Sequence, residues 1–434
     1  MITVVGAGTG AAPVADDVLA GAALVVGGRR HLDAVRLPEG AERVVLGPLA
    51  PALDIVARYA AKGARVVVLA SGDPGFFGIV RVLGERFGPA ALDVRPGVPS
   101  VAAAFARLGL TWDDAVVVSA HGRALRTAVN VCRAHPKVAV LTGPGAGPAE
   151  LGAALTAAGA GEAPGAGGPG RVLVVASALG DPGRERVERV TPAQAAARDW
   201  GTAVSVVLCL DGSGAADGGA RTVAGPPPGP AGGWALDESA FVHRDSMITK
   251  FEVRALTLAR LGPRLGELVW DIGAGSGSVA VECARLGAAV TAVEKTADGA
   301  ERIRANAAAH GVGAGVRVVR GTAPDVLAGL DDGHDPDAVF VGGGGRELPA
   351  VVTACARRAR RTVVVAMAAL DRVPAARAAL TAAGFSCDGV LLQSSRLAPL
   401  PGDVTRLAAA NPVFLLWGDR LPASLIEPTE GVAQ

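Results

Sequence analysis

Long apolar runs, paired cysteines, basic blocks and lysine are all missing or scarce in this 434-residue chain. No apolar stretch approaches the roughly 20 residues that a membrane-spanning helix needs, so an integral membrane protein is not expected. The net charge is +1, with no basic block and no basic stripe spaced by aromatics, which argues against nucleic acid as a partner. Five cysteines (Cys132, Cys209, Cys283, Cys355 and Cys387) are scattered, odd in number and never arranged C-x-x-C. Neither a disulfide framework nor a metal site is therefore expected, and a reducing compartment fits. The opening Met1-Ile-Thr-Val-Val-Gly6 reads as a strand entering a glycine turn rather than a leader, so the expected location is cytoplasmic. Lysine occurs only at Lys62, Lys137, Lys250 and Lys295, which leaves arginine as nearly all of the 42 basic residues. Arginine forks grip carboxylates bidentately, although a compositional bias that also raises alanine and glycine explains the excess more simply.

What the chain does contain is valine-rich strands punctuated by glycine. Half of its residues are hydrophobic, ample for sizeable cores, and its length favours two or three domains. Up to residue 210, runs at 2–5, 24–26, 44–46, 66–70, 116–119 and 138–141 lack polar alternation, as strands covered on both faces do. Helical spacing lies between them at 54–61, 79–87, 101–108 and 125–133. A Gly/Ala/Pro loop at 159–170 separates two subdomains; strands at 172–176, 186–190 and 204–210 follow, with a helix at 192–200. Residues 211–233 hold Gly-Gly and Pro226-Pro-Pro228 without apolar periodicity, and read as a linker. From 234 to 420 strands and helices alternate as an open, doubly wound, mostly parallel sheet of seven strands, closed by two strands that suggest an antiparallel edge. Residues 421–434 are left as a tail. The expected fold class is α/β, with a two-subdomain first domain (1–210) and a Rossmann-like second one.

In the second domain the strand at 268–272 runs into Asp271-Ile-Gly-Ala-Gly-Ser-Gly277 and then a helix at 278–286. Such a turn lets backbone touch a ligand closely. A nicotinamide fingerprint puts its third glycine five positions after the first; here Gly277 follows Gly273 by four, with Gly275 and Ser276 between. The frame, with Asp271 closing the strand, is that of class I methyltransferases. Backbone at the glycines would meet the methionine part of S-adenosylmethionine, and a carboxylate its ammonium group. Glu294 ends the next strand, where it can accept ribose hydroxyls in a methyltransferase or an NAD enzyme alike. A fused NAD(P)-dependent dehydrogenase therefore stays open, as does a cofactor-sensing protein without turnover. Gly321-Thr-Ala-Pro324 and Phe340-Val-Gly-Gly-Gly-Gly345 sit at the carboxyl ends of later strands, and the glycine run leaves room for a large flat ligand.

Ser246-Met-Ile-Thr-Lys250, the glycine turn, G-T-A-P and F-V-G-G-G together resemble the decarboxylating precorrin methyltransferases that act at C15 in cobalamin biosynthesis, over about residues 236–420. The resemblance implies that Thr249, the glycine turn, Glu294 and Ala323 line the cofactor site; Thr322 stands where the family often has an acid. In the first domain Val4-Val-Gly-Ala-Gly-Thr-Gly10 has no G-x-G-x-x-G frame. Leu69-Ala-Ser-Gly-Asp-Pro-Gly-Phe-Phe-Gly78, Pro96-Gly-Val-Pro-Ser100, Ser119-Ala-His-Gly-Arg123 and Leu141-Thr-Gly-Pro144 follow one another in the order of the tetrapyrrole methylase family, and are most similar to its C5-methylating precorrin branch. That implies a cofactor folded between two subdomains against Gly72, Asp73, Pro74, Thr142 and Gly143, with His121 and Arg123 as candidates for handling substrate. His121 as a hydrogen-bonded structural residue is the competing reading. Both families on one chain imply a bifunctional C-methyltransferase and decarboxylase with two S-adenosylmethionine sites and a tetrapyrrole (precorrin) substrate. A homo-oligomer is expected.

Overall fold

Valine runs buried on both faces form three sheets in a computed structural model of the chain. It describes residues 1–7, 16–160, 170–203, 205–212, 224–225, 233–244, 248–330, 335–343 and 345–422. Gly8–Gly10 of the first glycine turn, most of the 159–170 loop and of the 211–233 linker, Ser246, Met247, Gly344 and the tail from 423 lie outside the described residues.

The first sheet holds β1 (Ile2–Gly6), β2 (Leu24–Gly27), β3 (Glu42–Val45), β4 (Val66–Ala70) and β5 (Leu92–Arg95), all parallel in the order β3-β2-β4-β1-β5. Strand β5 was not expected: Leu-Asp-Val-Arg is half exposed at the sheet edge and carries no apolar run. The second sheet holds β6 (Val116–Ser119), β7 (Lys137–Leu141), β8 (Arg171–Ser177), β9 (Arg186–Val190) and β10 (Ser205–Asp211) in the order β6-β7-β10-β8-β9. Only β6 and β7 pair in parallel, so the second subdomain is mixed. The helix expected at 192–200 stops at Ala196, after a Thr191–Gln194 capping box opens it.

In the third sheet β11 (Leu268–Ile272), β12 (Ala289–Glu294), β13 (Val316–Arg320), β14 (Ala338–Val341) and β15 (Thr362–Met367) are parallel. After β16 (Asp388–Leu392) the chain makes a separate hairpin, β17 (Ser395–Leu400) and β18 (Val404–Ala409), before β19 (Val413–Asp419). The order is β13-β12-β11-β14-β15-β19-β16, seven strands with β19 antiparallel to both neighbours. The antiparallel edge was expected; the hairpin inside it was not, because its residues are largely exposed and its apolar side chains face outward. The order reverses between β11 and β14, and in open α/β sheets ligands bind at the carboxyl ends of the strands at such a point.

One helix of the first domain, Leu125–Ala134, lies across the opposite ends of this sheet. Arg126 pairs with Asp337, which precedes β14; Asn130 Nδ2 donates to Gly266 O, before β11, at 3.0 Å; Arg133 donates to Thr291 Oγ1 of β12 at 3.2 Å. At about 1.5 Å per residue the seven-residue step from Arg126 to Arg133 rises about 10 Å, which matches the two inter-strand steps of about 4.8 Å that separate β14, β11 and β12. The carboxyl-end crevice therefore faces away from the first domain. Asp337 also accepts the buried Leu268 N–H at 2.8 Å. Asp337→Ala strips that donor and Arg126 of their acceptor together and is expected to cost about 3 kcal/mol. Chemical denaturation checks this; a loss below about 1 kcal/mol would show that the contact contributes nothing.

Candidate active sites

The glycine turn after β11 exists because three residues there take left-handed backbone: φ is 73° at Gly273, 60° at Gly275 and 73° at Gly277. A side chain would be strained at each, and a Cβ at Gly273 would lie 3.1 Å from Gly343 Cα, so the turn also packs against the glycine run after β14. Asp271 sits beneath this turn rather than in its mouth. It is 1% exposed; Oδ2 accepts the Ala280 N–H of the following helix at 2.9 Å, and Oδ1 has no hydrogen-bond partner among the described residues. Burial pushes its carboxyl from an ordinary 3.8 up to about 7; the nearby Glu294 adds to the rise and the Ala280 N–H opposes it.

Glu294, at the end of β12, is already engaged: Oε2 accepts the Gly275 N–H at 3.0 Å, and Oε1 accepts the Thr296 N–H and hydroxyl at 3.0 and 2.9 Å. Its carboxylate thus shapes the turn as well as facing its rim. The Ser276 carbonyl accepts from buried Asn306 at 2.8 Å, and the same amide holds Val242 N–H and C=O at 2.8 and 2.9 Å. Sequence reasoning passed over Asn306, which gives no signal in the middle of a helix. Thr249 is held by its carbonyl, which accepts from Arg254 at 2.6 Å; Arg254 is fully buried beside fully buried Glu282, 3.5 Å away. Glu282 lies on the helix Ser278–Arg285 that the glycine turn starts, so this pair ties Thr249 to the turn. Ala323 follows β13, where Gly321 N–H bonds the Glu294 carbonyl at 3.0 Å. The turn, Asp271, Glu294, Thr249 and Ala323 therefore belong to one end of one sheet.

The first domain brings its loops together through backbone. A Cβ on Gly6 would overlap Gly72 O and Gly97 N, and one on Gly143 would stand 2.8 Å from His121 Nδ1. Gly72, with φ 58°, turns the chain after β4; Asp73 Oδ1 accepts the Gly75 N–H at 2.8 Å; Pro74 packs against Gly78. Two chambers meet there. One, of about 320 Å³, is lined by Gly72, Asp73, Pro99, Leu179 and Thr202 among others; the second, of about 850 Å³, is lined by Phe76, Phe77, His121, Arg123 and Thr142 among others. Ser71, Asp73, Arg30 and Ser205 line both. The Thr142 hydroxyl is spent on Ser205, donating to its carbonyl at 2.6 Å, so that loop meets a ligand through backbone. His121 Nδ1 lies 3.3 Å from the Thr142 carbonyl, which can only accept, so Nδ1 carries a proton. Arg123 places its guanidinium 5.5 Å from the Phe77 ring centroid.

Sequence reasoning also missed Arg30, His31 and Ser71. The signal was Gly27-Gly28-Arg29-Arg30-His31, a glycine pair at the carboxyl end of β2, the same logic that selected the other loops. His31 is buried, its Nε2 is 2.8 Å from Ser71 Oγ, and burial, with Arg30 adding to it, lowers its pKa to about 4. Among the described residues no cluster of His, Cys, Asp and Glu could hold a metal ion, and no helix is long and apolar enough to cross a membrane.

An open sheet with a glycine turn and an acid at its switch point, behind a two-subdomain unit with a double-chambered cleft, defines a two-domain α/β methyltransferase. Residues 1–196 match the tetrapyrrole (corrin/porphyrin) methylases and residues 239–417 the precorrin methyltransferase domain. A precorrin-6Y C(5,15)-methyltransferase [decarboxylating] from a Sinorhizobium species is 41% identical over 354 residues, covering 80% of this chain and 79% of its own. One from Mycobacterium tuberculosis is 35% identical over 364 residues, 82% of this chain and 83% of its own. A cobalt-precorrin-7 C(5)-methyltransferase of Salmonella typhimurium is 36% identical over 167 residues, 37% of this chain and 80% of its own. The chain belongs to the precorrin-6Y C(5,15)-methyltransferase (decarboxylating) family. Such methyltransferases use S-adenosylmethionine. Two features of the second domain suit a cationic, backbone-bound cofactor: the glycine cradle that side chains would fill, and the orphaned Asp271 Oδ1 beneath it.

Asp271 gives a pH dependence with a definite sign. Its folded pKa is raised, so the neutral form favours folding at low pH and that contribution is lost as pH rises from about 4 through about 7. Asp271→Asn keeps an acceptor for Ala280 N–H without the charge. It is expected to stabilise the second domain at pH 8 by up to about 4 kcal/mol relative to wild type, with little effect at pH 4. It is also expected to weaken S-adenosylhomocysteine binding. Urea unfolding at both pH values measures the first effect; an unchanged pH slope in the variant would refute this account of the buried acid.

Proposed function

We propose that this chain methylates a precorrin twice, at C5 in the first domain and at C15 in the second. The second domain also removes the ring C (C12) acetate as carbon dioxide, so that precorrin-6Y becomes precorrin-8X in cobalamin biosynthesis. The observation that supports the reading is that each domain carries a concavity of its own: the glycine cradle at the β11/β14 switch point, and the paired chambers that share Ser71 and Asp73. Two molecules of S-adenosylmethionine, one per domain, are consumed for each substrate.

When bound, S-adenosylmethionine supplies an electrophilic methyl group, and an enamine-like meso carbon of a reduced tetrapyrrole is itself the nucleophile. The protein need only align carbon, methyl and sulfur and exclude water. In the second domain Gly273, Gly275, Ser276 and Gly277 present backbone, Glu294 faces the ribose, and Thr249 and Ala323 close the sides. In the first, Gly72, Asp73, Pro74, Thr142 and Gly143 hold the cofactor where the two chambers meet, and the macrocycle lies in the larger. In this reading His121, held through Nδ1 by the Thr142 carbonyl, takes up the proton that C5 gives up on gaining a methyl, and Arg123 meets a side-chain carboxylate. For decarboxylation the conjugated imine of the macrocycle is the electron sink, and the site must avoid stabilising the departing carboxylate.

Because Leu125–Ala134 packs under the second domain, full-length variants are better tests than severed halves. Calorimetry is expected to find two S-adenosylhomocysteine molecules per wild-type chain, and one each in Gly273→Val and Gly72→Val. Gly273→Val is also expected to abolish carbon dioxide release from precorrin-6Y. A wild-type stoichiometry of one, or carbon dioxide release that survives in Gly273→Val, would sink the division of labour.

A further inference from the structure

Four arginines, Arg29, Arg30, Arg81 and Arg123, line the 850 Å³ cleft of the first domain, against one acid, Asp73. None of the four has a carboxylate partner among the described residues, whereas Arg43, Arg86 and Arg95 of the same subdomain pair with Asp33, Asp54 and Asp93. Unneutralised positive charge collected in a concavity focuses potential onto an anionic ligand. The charge is also mounted on a built support. Arg30 donates through one terminal nitrogen to Ser71 Oγ and through Nε to His31 Nε2 at 3.3 Å, while Ser71 Oγ lies 2.8 Å from the same Nε2. A guanidinium can only donate, so Nε2 is the acceptor and His31 is the neutral Nδ1–H tautomer. His31, 3% exposed, thus adds no charge and fixes both Ser71 and Arg30. At the other end the floor is aromatic: Phe76 meets Phe77 edge-on at 5.0 Å, with Arg123 over Phe77 and Arg81 in the first turn of the next helix, Val80–Phe87. An aromatic pair beside guanidinium forks that lack a carboxylate partner suits an apolar ligand with several peripheral carboxylates.

We propose that Arg29, Arg30, Arg81 and Arg123 bind the peripheral carboxylates of the first domain's substrate. Arg30, held by Ser71 and His31 where the two chambers meet, is the positioning residue that sets which edge of the ligand faces the methyl donor. The proposal rests on the tetrapyrrole reading of this cleft and names the residues that select for carboxylates.

Two measurements on the full-length chain test it. In steady-state C5 methylation, Arg30→Ala and the double variant Arg81→Ala/Arg123→Ala are expected to raise KM at least about tenfold, the loss of one charge-assisted hydrogen bond. Arg30→Lys is expected to recover only part, because it restores the charge without the fork. S-adenosylhomocysteine stoichiometry and carbon dioxide release by the second domain stay at wild-type values, which separates this effect from misfolding. The binding arm needs no turnover: uroporphyrin, a planar octacarboxylate, is expected to bind wild type in a fluorescence titration, its octamethyl ester not, and the variants to lose one class of sites. Variants that keep both wild-type KM and wild-type uroporphyrin binding, or an ester that binds as well as the acid, would overturn the proposal. If wild type binds uroporphyrin in this pattern yet adds no methyl at C5, the reading of function fails and the carboxylate site stands.

Discussion

Two opposite charges with no exposed surface, Arg254 and Glu282, hold the second domain's site together. Removing such charges from water is costly, and the cost is offset only when every remaining donor and acceptor is used. Here most are used. Glu282 accepts the Ala235 and Leu236 N–H groups at 3.3 and 2.5 Å and pairs with Arg285 at 3.0 Å. Arg254 donates to the Leu236 and Thr249 carbonyls. The segment that enters the domain is thereby stapled to the helix that leaves the glycine turn. Without the pair, Thr249 would lose its tie to the helix that follows Gly273–Gly277. Asn306 repeats the device one helix further on, joining Val242 to the Ser276 carbonyl.

The first domain solves the same problem with less charge. Its loops approach so closely that a side chain at Gly6 would overlap the Gly72 carbonyl and the Gly97 nitrogen, and the cleft walls follow from that contact. Strand polarity then decides how the two sites relate. Each lies at the carboxyl ends of its strands, and the helix Leu125–Ala134 covers the amino ends of β14, β11 and β12. The second crevice thus opens away from the first domain. On the far side the hairpin β17–β18 is clamped by Arg396, which bonds both Glu238 and Glu252 at 2.6 to 3.0 Å. Arg396 holds the Glu238 carboxyl near 2, so the clamp stays charged across the neutral range. Glu252 is in the first turn of the helix behind Thr249, so the hairpin borders the same site.

Valine runs, glycine turns and their order were legible because each reports a local requirement: burial on both faces, or a left-handed backbone. That was enough for the fold class and the glycine turn; the tetrapyrrole methylase loops were read through family resemblance, and the subdomain break expected at 159–170 falls instead between β5 and β6. Strand β5 and the β17–β18 hairpin escaped because exposed edges carry no apolar signature. Asp271 was read from its place at the end of the strand; its burial under the turn, with Oδ2 on Ala280 N–H and Oδ1 unpartnered among the described residues, was not legible, because no spacing rule states the depth of a side chain.

By itself, then, the sequence determined where backbone must turn and which residue types stand at those turns, since φ and hydrophobic period are properties of short segments. Only the tertiary structure decided which charges are neutralised. Arg254 and Arg285 share Glu282 in the core, whereas Arg29, Arg30, Arg81 and Arg123 face a cleft with a single acid. Along the chain these arginines look alike. Coulomb energy depends on distance and burial, and both are set by contacts between residues far apart in sequence.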